Sequence, residues 1–316
     1  MPQDGRYVLG GNHPDLELRV STLPSVFGEK VVMRILDRGA IRLELDRLRM
    51  SETNLTAFKG AFSSPNGLVL LTGPTGSGKT TTLYAAMNAV NEDSINLITV
   101  EDPVEYDLPG TVQVQVDTKA GRTFAQVLRA VLRQDPDVIM IGEIRDQETA
   151  GIAVQAALTG HLVLSTLHTN TALGAVTRLL DMGVEPYLLG PSLRCVVAQR
   201  LVPRICPDCA VPDQPTDEAL ATFGATDVPE SQRTFRRGAG CPQCRNKGKR
   251  GRVPIHEVLV VDTEIGRAIS RSTSDTELAA MVERKGRFVS MARDGLLKAC
   301  QGLVTLEDVA AVTRED

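Results

Sequence analysis

Eight residues, GPTGSGKT from Gly73 to Thr80, restrict the possible folds of this chain more than any other stretch. They satisfy G-x-x-x-x-G-K-[ST], follow directly on the apolar run LVLLT and open a helical pattern, which is the strand–loop–helix setting the motif requires. Gly76 and Gly78 let the backbone close with its N–H groups pointing inward, and the helix N-terminus adds a favourable dipole for an anion. The expected nucleotide-binding segment is therefore Gly73, Pro74, Thr75, Gly76, Ser77, Gly78, Lys79, Thr80 and Thr81. Lys79 should reach the β- and γ-phosphates of ATP, and the Thr80 hydroxyl should ligate Mg²⁺.

The loop belongs to a longer alternation. From about 49 to 203, apolar strand patterns (GLVLLTG, NLITVED, DVIMIGE, HLVLSTL) alternate with helical ones (TTTLYAAMNAV, TFAQVLRAVLRQ), which favours an α/β fold with a parallel sheet covered on both faces. Phe124, Val127, Leu128, Val131 and Leu132 form one apolar stripe at helical spacing, while Arg129 and Arg133 share another side, solvated or between subunits. Two strand ends carry acids. DVIMIGE ends in Glu143, preceded by Gly142, and a carboxylate at a strand end beside the phosphate loop is placed to hold Mg²⁺. TVEDPVEY offers Glu101, Asp102 and Glu105; Glu101, at the strand end, is best placed to position the attacking water, and the other two instead cap backbone or pair with arginine. In LTGHLVLSTLHTN, His161 and His168 bracket a strand as metal ligands, a catalytic pair or polar caps. The metal reading is poor, since the stretch supplies no further ligand.

With 42% apolar content, 316 residues can bury a real core and suggest two or three domains. The longest apolar runs fall far short of the roughly 18 residues that span a bilayer, and MPQDGRYVLGG has no apolar signal core, so an intracellular protein is expected. A net charge of -4, no Trp and 3% aromatics argue against a nucleic-acid partner. Of six cysteines, Cys206 and Cys209 in CPDC and Cys241 and Cys244 in CPQC form two knuckles suited to tetrahedral Zn²⁺. Redox use is the lesser reading, because neither pair opens a thioredoxin-like βαβ unit. Cys195 and Cys300 stand alone as small core residues. The basic run RNKGKRGR, 245–252, is a solvated loop or a contact for anionic membrane lipid. Beyond it, Ser274 with Glu277, and Thr305 with Asp308, are placed as helix caps, and Gly286 as a stop. At the other end DLELRV and KVVMRIL form strands turned at FGEK; they begin so abruptly that further N-terminal sequence is expected to precede Met1. The boundaries that follow are 1–37, a connector at 38–48, an ATPase-type core at 49–203, the tetracysteine region at 204–252 and a helical tail at 253–316.

GPTGSGKTTT, TVEDPVEY, LRQDPDVIMIGEIRD and LTGHLVLSTLHTN, in that order, resemble the four signature boxes of the secretion ATPase superfamily. Within it the chain resembles the type II secretion and type IV pilus assembly ATPases from PQDGR to VTRED. The resemblance implies a homo-hexameric cytoplasmic motor: a RecA-like core, part of an N-terminal α+β domain, a tetracysteine zinc-binding insert and a small helical C-terminal subdomain. Its ATP hydrolysis would power pseudopilus assembly for type II protein secretion, with type IV pilus assembly as the alternative. It would work at the periphery of the inner membrane against platform proteins. The resemblance also implies that Gly142-Glu143 is the family's own Walker B ending, and that His161 and His168 lie close to the nucleotide and couple its γ-phosphate to subunit movement. Arg19 in LELRV and Arg34 in VVMRILD match arginines that the family sets against the phosphates. An arginine brought to charge developing on the γ-phosphate is worth about 10³ to 10⁵ in rate.

Overall fold

The structure, a computed structural model, describes residues 1–9, 16–37, 44–286 and 288–313; most of the expected connector, 38–43, lies outside them. The chain divides into two compact units, Met1–Arg47 and Leu48–Asp316.

The first unit is an antiparallel meander of β1 (Gln3–Val8), β2 (Leu16–Ser25) and β3 (Gly28–Asp37). Two of these strands are the expected ones; β1, in QDGRYV, is additional. Because side chains alternate across a sheet, register sorts them by chemistry. Tyr7, Leu18 and Ile35 stand opposite one another on one face, and Arg6, Arg19 and Arg34 on the other.

The second unit begins with α1 (Glu52–Phe62) and β4 (Gly67–Thr72), followed by α2 (Lys79–Val90), β5 (Leu97–Glu101), β6 (Val112–Gln115), α3 (Phe124–Val131), β7 (Val138–Ile141), α4 (Gln147–Leu158) and β8 (Leu162–Leu167). Next come α5 (Ala172–Asp181), α6 (Pro186–Ser192) and the 13-residue β9 (Leu193–Ile205). A seven-stranded sheet results, ordered β12-β9-β4-β8-β7-β5-β6, where β12 is Lys249–Val260. Only β12, against β9, is antiparallel. Every residue of β4, β5, β7 and β8 is buried, which is why they read as continuous apolar runs: both faces of a parallel sheet are covered. Thr123, Asp146 and Thr171 begin α3, α4 and α5 by accepting the N–H three residues on.

Between β9 and β12 lie two three-residue strands, β10 (Ala210–Pro212) and β11 (Arg236–Gly238), and the short helix α7 (Asp217–Thr222). Four helices close the chain: α8 (Thr263–Ser270), α9 (Asp275–Arg284), α10 (Met291–Cys300) and α11 (Leu306–Thr313). Ser274 caps α9 through the Glu277 N–H, and Thr305 bonds Asp308 at the start of α11. One apolar core runs from the parallel sheet through Val196 and Val253 to Leu296 and Val309 of the tail. Cys195 and Cys300 are buried in it, and burial pushes the Cys195 thiol up to about 12. Among the described residues no helix is long and apolar enough to cross a membrane.

The tail also buries charge. Lys298 on α10 donates to Asp294 Oδ2 at 2.7 Å and to the Pro254 carbonyl at 2.6 Å, and Asp294 accepts the backbone N–H of His256 on β12. The His256 ring is wholly buried, and neither ring nitrogen has a hydrogen-bond partner among the described residues. Burial first, and then the charge of Lys298, hold its pKa well below the ordinary value. Below pH about 6.5 the unfolded chain therefore takes up a proton that the folded one refuses, so stability falls as pH falls, by up to about 1.4 kcal/mol per pH unit from this group. In urea melts between pH 7 and 5, His256→Gln is expected to lose stability less steeply than the parent; parallel slopes would show that His256 does not set the acid limit.

Candidate active site

Four strands of the parallel sheet bring their carboxyl ends to one edge, the usual ligand edge of an open α/β sheet. Gly73 follows β4, Glu101 ends β5, Glu143 stands just beyond β7 and His168 follows β8. At the loop, Gly73, Gly76 and Gly78 have φ of +144°, +81° and +89°, a region side-chain-bearing residues avoid. Gly78 occupies the N-cap of α2 without a side-chain cap, leaving the first helical N–H groups for a ligand. A Cβ on Gly76 would meet nothing within 4 Å, so the loop opens on free space there, and the buried Ser77 hydroxyl has no hydrogen-bond partner among the described residues. This cradle and its orphaned hydroxyl fit an oligophosphate. Lys79 is buried at the loop's centre and donates to the Gly73 carbonyl at 2.8 Å and the Pro74 carbonyl at 3.1 Å. Burial lowers its pKa, and the Glu143 carboxylate draws it back up. Thr80 is exposed beside it.

Glu143 is ion-paired with Arg145 and lies 3.3 Å from His168 Nε2. Burial opposes its ionisation, but Arg145 and His168 outweigh burial and hold the carboxyl below its ordinary pKa. The residue after His168 fastens this corner to the loop strand: the Thr169 N–H donates to Thr72 Oγ1 at 2.8 Å. Glu101 is buried and held by three donors, accepting Thr99 Oγ1 at 2.6 Å, Gln113 Nε2 at 3.2 Å and the Tyr84 hydroxyl from α2. Burial and the Glu101 carboxylate push the Tyr84 phenol far above its ordinary range.

His161 is placed differently from expectation. It precedes β8, its Nδ1 lies 3.1 Å from the Ala156 carbonyl at the end of α4, and its carbonyl accepts the N–H of Gly67, where β4 begins. At roughly 3.3 Å per strand residue, seven residues separate it from His168 by about 23 Å. Within this unit only His168 reaches the phosphate edge; His161 caps a helix end on the opposite edge.

The four knuckle cysteines converge. Their sulfurs all lie within 4.8 Å of one another, with Cys206–Cys241 and Cys209–Cys244 at 3.9 Å and Cys241–Cys244 at 3.7 Å. Zn–S bonds of about 2.3 Å in a tetrahedron require S···S separations near ~3.8 Å, so these donors fit Zn²⁺. Burial works against ionisation of Cys244, but the N–H groups of Cys241 and Gly248, each at 3.2 Å, bring its thiol down to about 6.

Comparison with known proteins bears on the whole arrangement. The sequence profile of the Type II/IV secretion system protein family matches residues 1–311. The chain belongs to that family. It is 50% identical over 316 residues to "Type II secretion system protein E" of Aeromonas hydrophila, covering all of this chain and 62% of that protein. It is 48% identical over 315 residues to "Type IV pilus assembly ATPase PilB" of Thermus thermophilus, of which it spans 35%. Among solved structures, the pilus retraction motor PilT with bound ADP superposes with a TM-score of 0.71 at 28% identity, covering 99% of this chain and 78% of PilT. The chain thus spans about three fifths of the length of the Aeromonas relative.

Two residues of this family member gave no local signal. Arg6 stands in register with Arg19 and Arg34, making a row of three arginines where sequence offered two; Arg19 also lies 3.8 Å from Glu17. Gln199 on β9 donates Nε2 to the Ser77 carbonyl at 2.6 Å and accepts Thr82 Oγ1 at 2.7 Å, touching both the loop and the first turn of α2.

Proposed function

We propose that this chain is the motor portion of an ATP-hydrolysing machine that drives pseudopilus assembly for type II protein secretion. The observation that carries the reading is a phosphate cradle with Lys79 at its centre on the same sheet edge that presents Glu143, in a chain half identical to a type II secretion protein. In this scheme the loop N–H groups and Lys79 hold the phosphates, while Thr80 and Glu143 supply oxygens to Mg²⁺. When bound, Mg²⁺ neutralises charge on the transferring phosphoryl group. Glu101, fixed by three donors, orients water rather than swinging to meet it, and His168 contacts the carboxylate of Glu143, the residue that would hold the metal, and so responds to what binds there. Arg19 and Arg34 are retained as phosphate-sensing arginines, and the four thiolates as a structural zinc site. The working form is taken to be a homo-hexamer acting on inner-membrane platform proteins. A contact with anionic lipid would rest on Arg245, Lys247 and Arg252, since Lys249 is ion-paired with Asp308 at 2.6 Å and Arg250 with Asp208 at 3.2 Å.

Type IV pilus assembly is the second reading, favoured by the 48% identity to the Thermus pilus ATPase. Glu143→Gln in the full-length protein, in its own cell, separates them. ATP binding should persist while turnover falls by about 10² or more, because a neutral amide neither anchors the cation nor balances Lys79. Loss of exported enzymes from the medium with surface pili intact supports the secretion motor. Loss of pili with normal export moves the protein to pilus assembly, and normal export with normal pili sinks both.

A further inference from the structure

One β9 residue meets both the phosphate loop and the first turn of the helix it opens. Gln199 is 2% exposed, its Nε2 donates to the Ser77 carbonyl and its Oε1 accepts the Thr82 hydroxyl. Its own carbonyl lies 2.4 Å from where a Cβ on Gly73 would sit, and its Nε2 lies 2.8 Å from a Cβ on Gly78. A buried glutamine satisfied by random core neighbours would serve packing alone. Here both side-chain partners belong to the loop or to the helix it opens, and the backbone carbonyl of the same residue leaves no room for a side chain on Gly73.

We infer that Gln199 is the positioning residue of the phosphate-binding loop. The inference rests on the nucleotide-site reading above. In a trans peptide the carbonyl and the following N–H point in opposite directions. Ser77 and Gly78 share one peptide, so drawing the Ser77 carbonyl toward β9 aims the Gly78 N–H away from the sheet strand, to the side where a phosphate would lie. Gly78, at φ +89°, has no intrinsic preference that would hold that peptide alone. The second bond, from Thr82, fixes the amide so that its nitrogen rather than its oxygen faces Ser77. Orientation of the loop's donors is therefore set before any ligand arrives, which reduces the ordering that binding must supply.

The test uses the full-length protein with Gln199→Met, which fills the space without an amide, and Gln199→Glu, which keeps the acceptor for Thr82 but turns a carboxylate on the Ser77 carbonyl. Equilibrium titration with a fluorescent ATP analogue and Mg²⁺, steady-state kcat and KM, and thermal melts are read together, with Lys79→Ala as a control. Both variants are expected to weaken binding about tenfold or more, Glu more than Met, with KM rising in step, kcat changing less and the melting temperature within a few degrees of the parent. If affinity and KM stay within twofold of the parent in both variants, whether or not the melting temperature falls, Gln199 serves packing only. Should Lys79→Ala lose ATP while the Gln199 variants keep it, the positioning role alone falls. Should Lys79→Ala bind ATP normally, the site reading falls and this inference with it.

Discussion

Lys79→Ala is expected to abolish ATP turnover and to leave ATP binding too weak to titrate. The ammonium of Lys79 is buried in the loop, where its hydrogen bonds to Gly73 and Pro74 already place it on the phosphate path. A charge-assisted hydrogen bond in such a site contributes about 1.5–3 kcal/mol, and two lost from the β- and γ-phosphates weaken binding by about 10² to 10⁴. Turnover falls further, because negative charge on the γ-phosphate oxygens needs that ammonium most in the transition state; a combined loss of at least about 10³ in kcat/KM follows. Lys79→Arg should not rescue it. The guanidinium keeps the charge but exchanges a compact point for a planar fork that the Gly73–Gly78 cradle does not match. Phosphate-release assays on the full-length protein decide the matter, and turnover within tenfold of the parent in Lys79→Ala would remove the nucleotide assignment.

The second large effect concerns the tetracysteine cluster. Protein purified without chelator is expected to carry one zinc per chain, and its removal to unfold most of 206–244 while the parallel sheet stays intact. Beyond Ala225 and Val228, which join the main core with Phe223 and Phe235 packed against it, the segment has little order of its own: two strands of three residues each, short turns and one six-residue helix. Zinc bound by four thiolates contributes about 10–16 kcal/mol in small isolated modules, so stripping it leaves the segment without its main source of order. Metal analysis, and limited proteolysis before and after chelation, test this. New cleavage should fall between Cys206 and Cys244 and not in 67–167. Metal-free protein with the two pairs oxidised to disulfides would restore the redox reading.

What was legible in the sequence is what is local. The phosphate loop, the cysteine knuckles, the capped helices and the acids at strand ends each announce themselves within a dozen residues, and all formed. Gln199 was invisible because its partners Ser77 and Thr82 lie 122 and 117 residues away, on a strand whose apolar run, CVVAQRLV, carried no chemistry of its own. The β9–β12 pair went unread for the same reason: a long antiparallel arm appended to a parallel sheet shows neither alternation nor a short turn. Arg6 escaped because only register sets it beside Arg19 and Arg34. For His161 and His168 the residues alone left capping and catalysis open, and only the fold separates them: a buried parallel strand sends its two ends to opposite edges of the sheet.

Strand β9 has a further consequence for how this protein can change over time. It carries Gln199 against the phosphate loop, and the chain leaves it at Ile205 to place the first knuckle thiol at Cys206. Substitutions along the intervening residues alter packing one position at a time. A single inserted or deleted residue is a different event, for it reverses the facing of everything beyond it and slides the knuckle by a full strand step relative to the loop. The interval from 199 to 206 is thus a fixed measure in the gene: a change of letter is felt at one position, a change of count at every position beyond it.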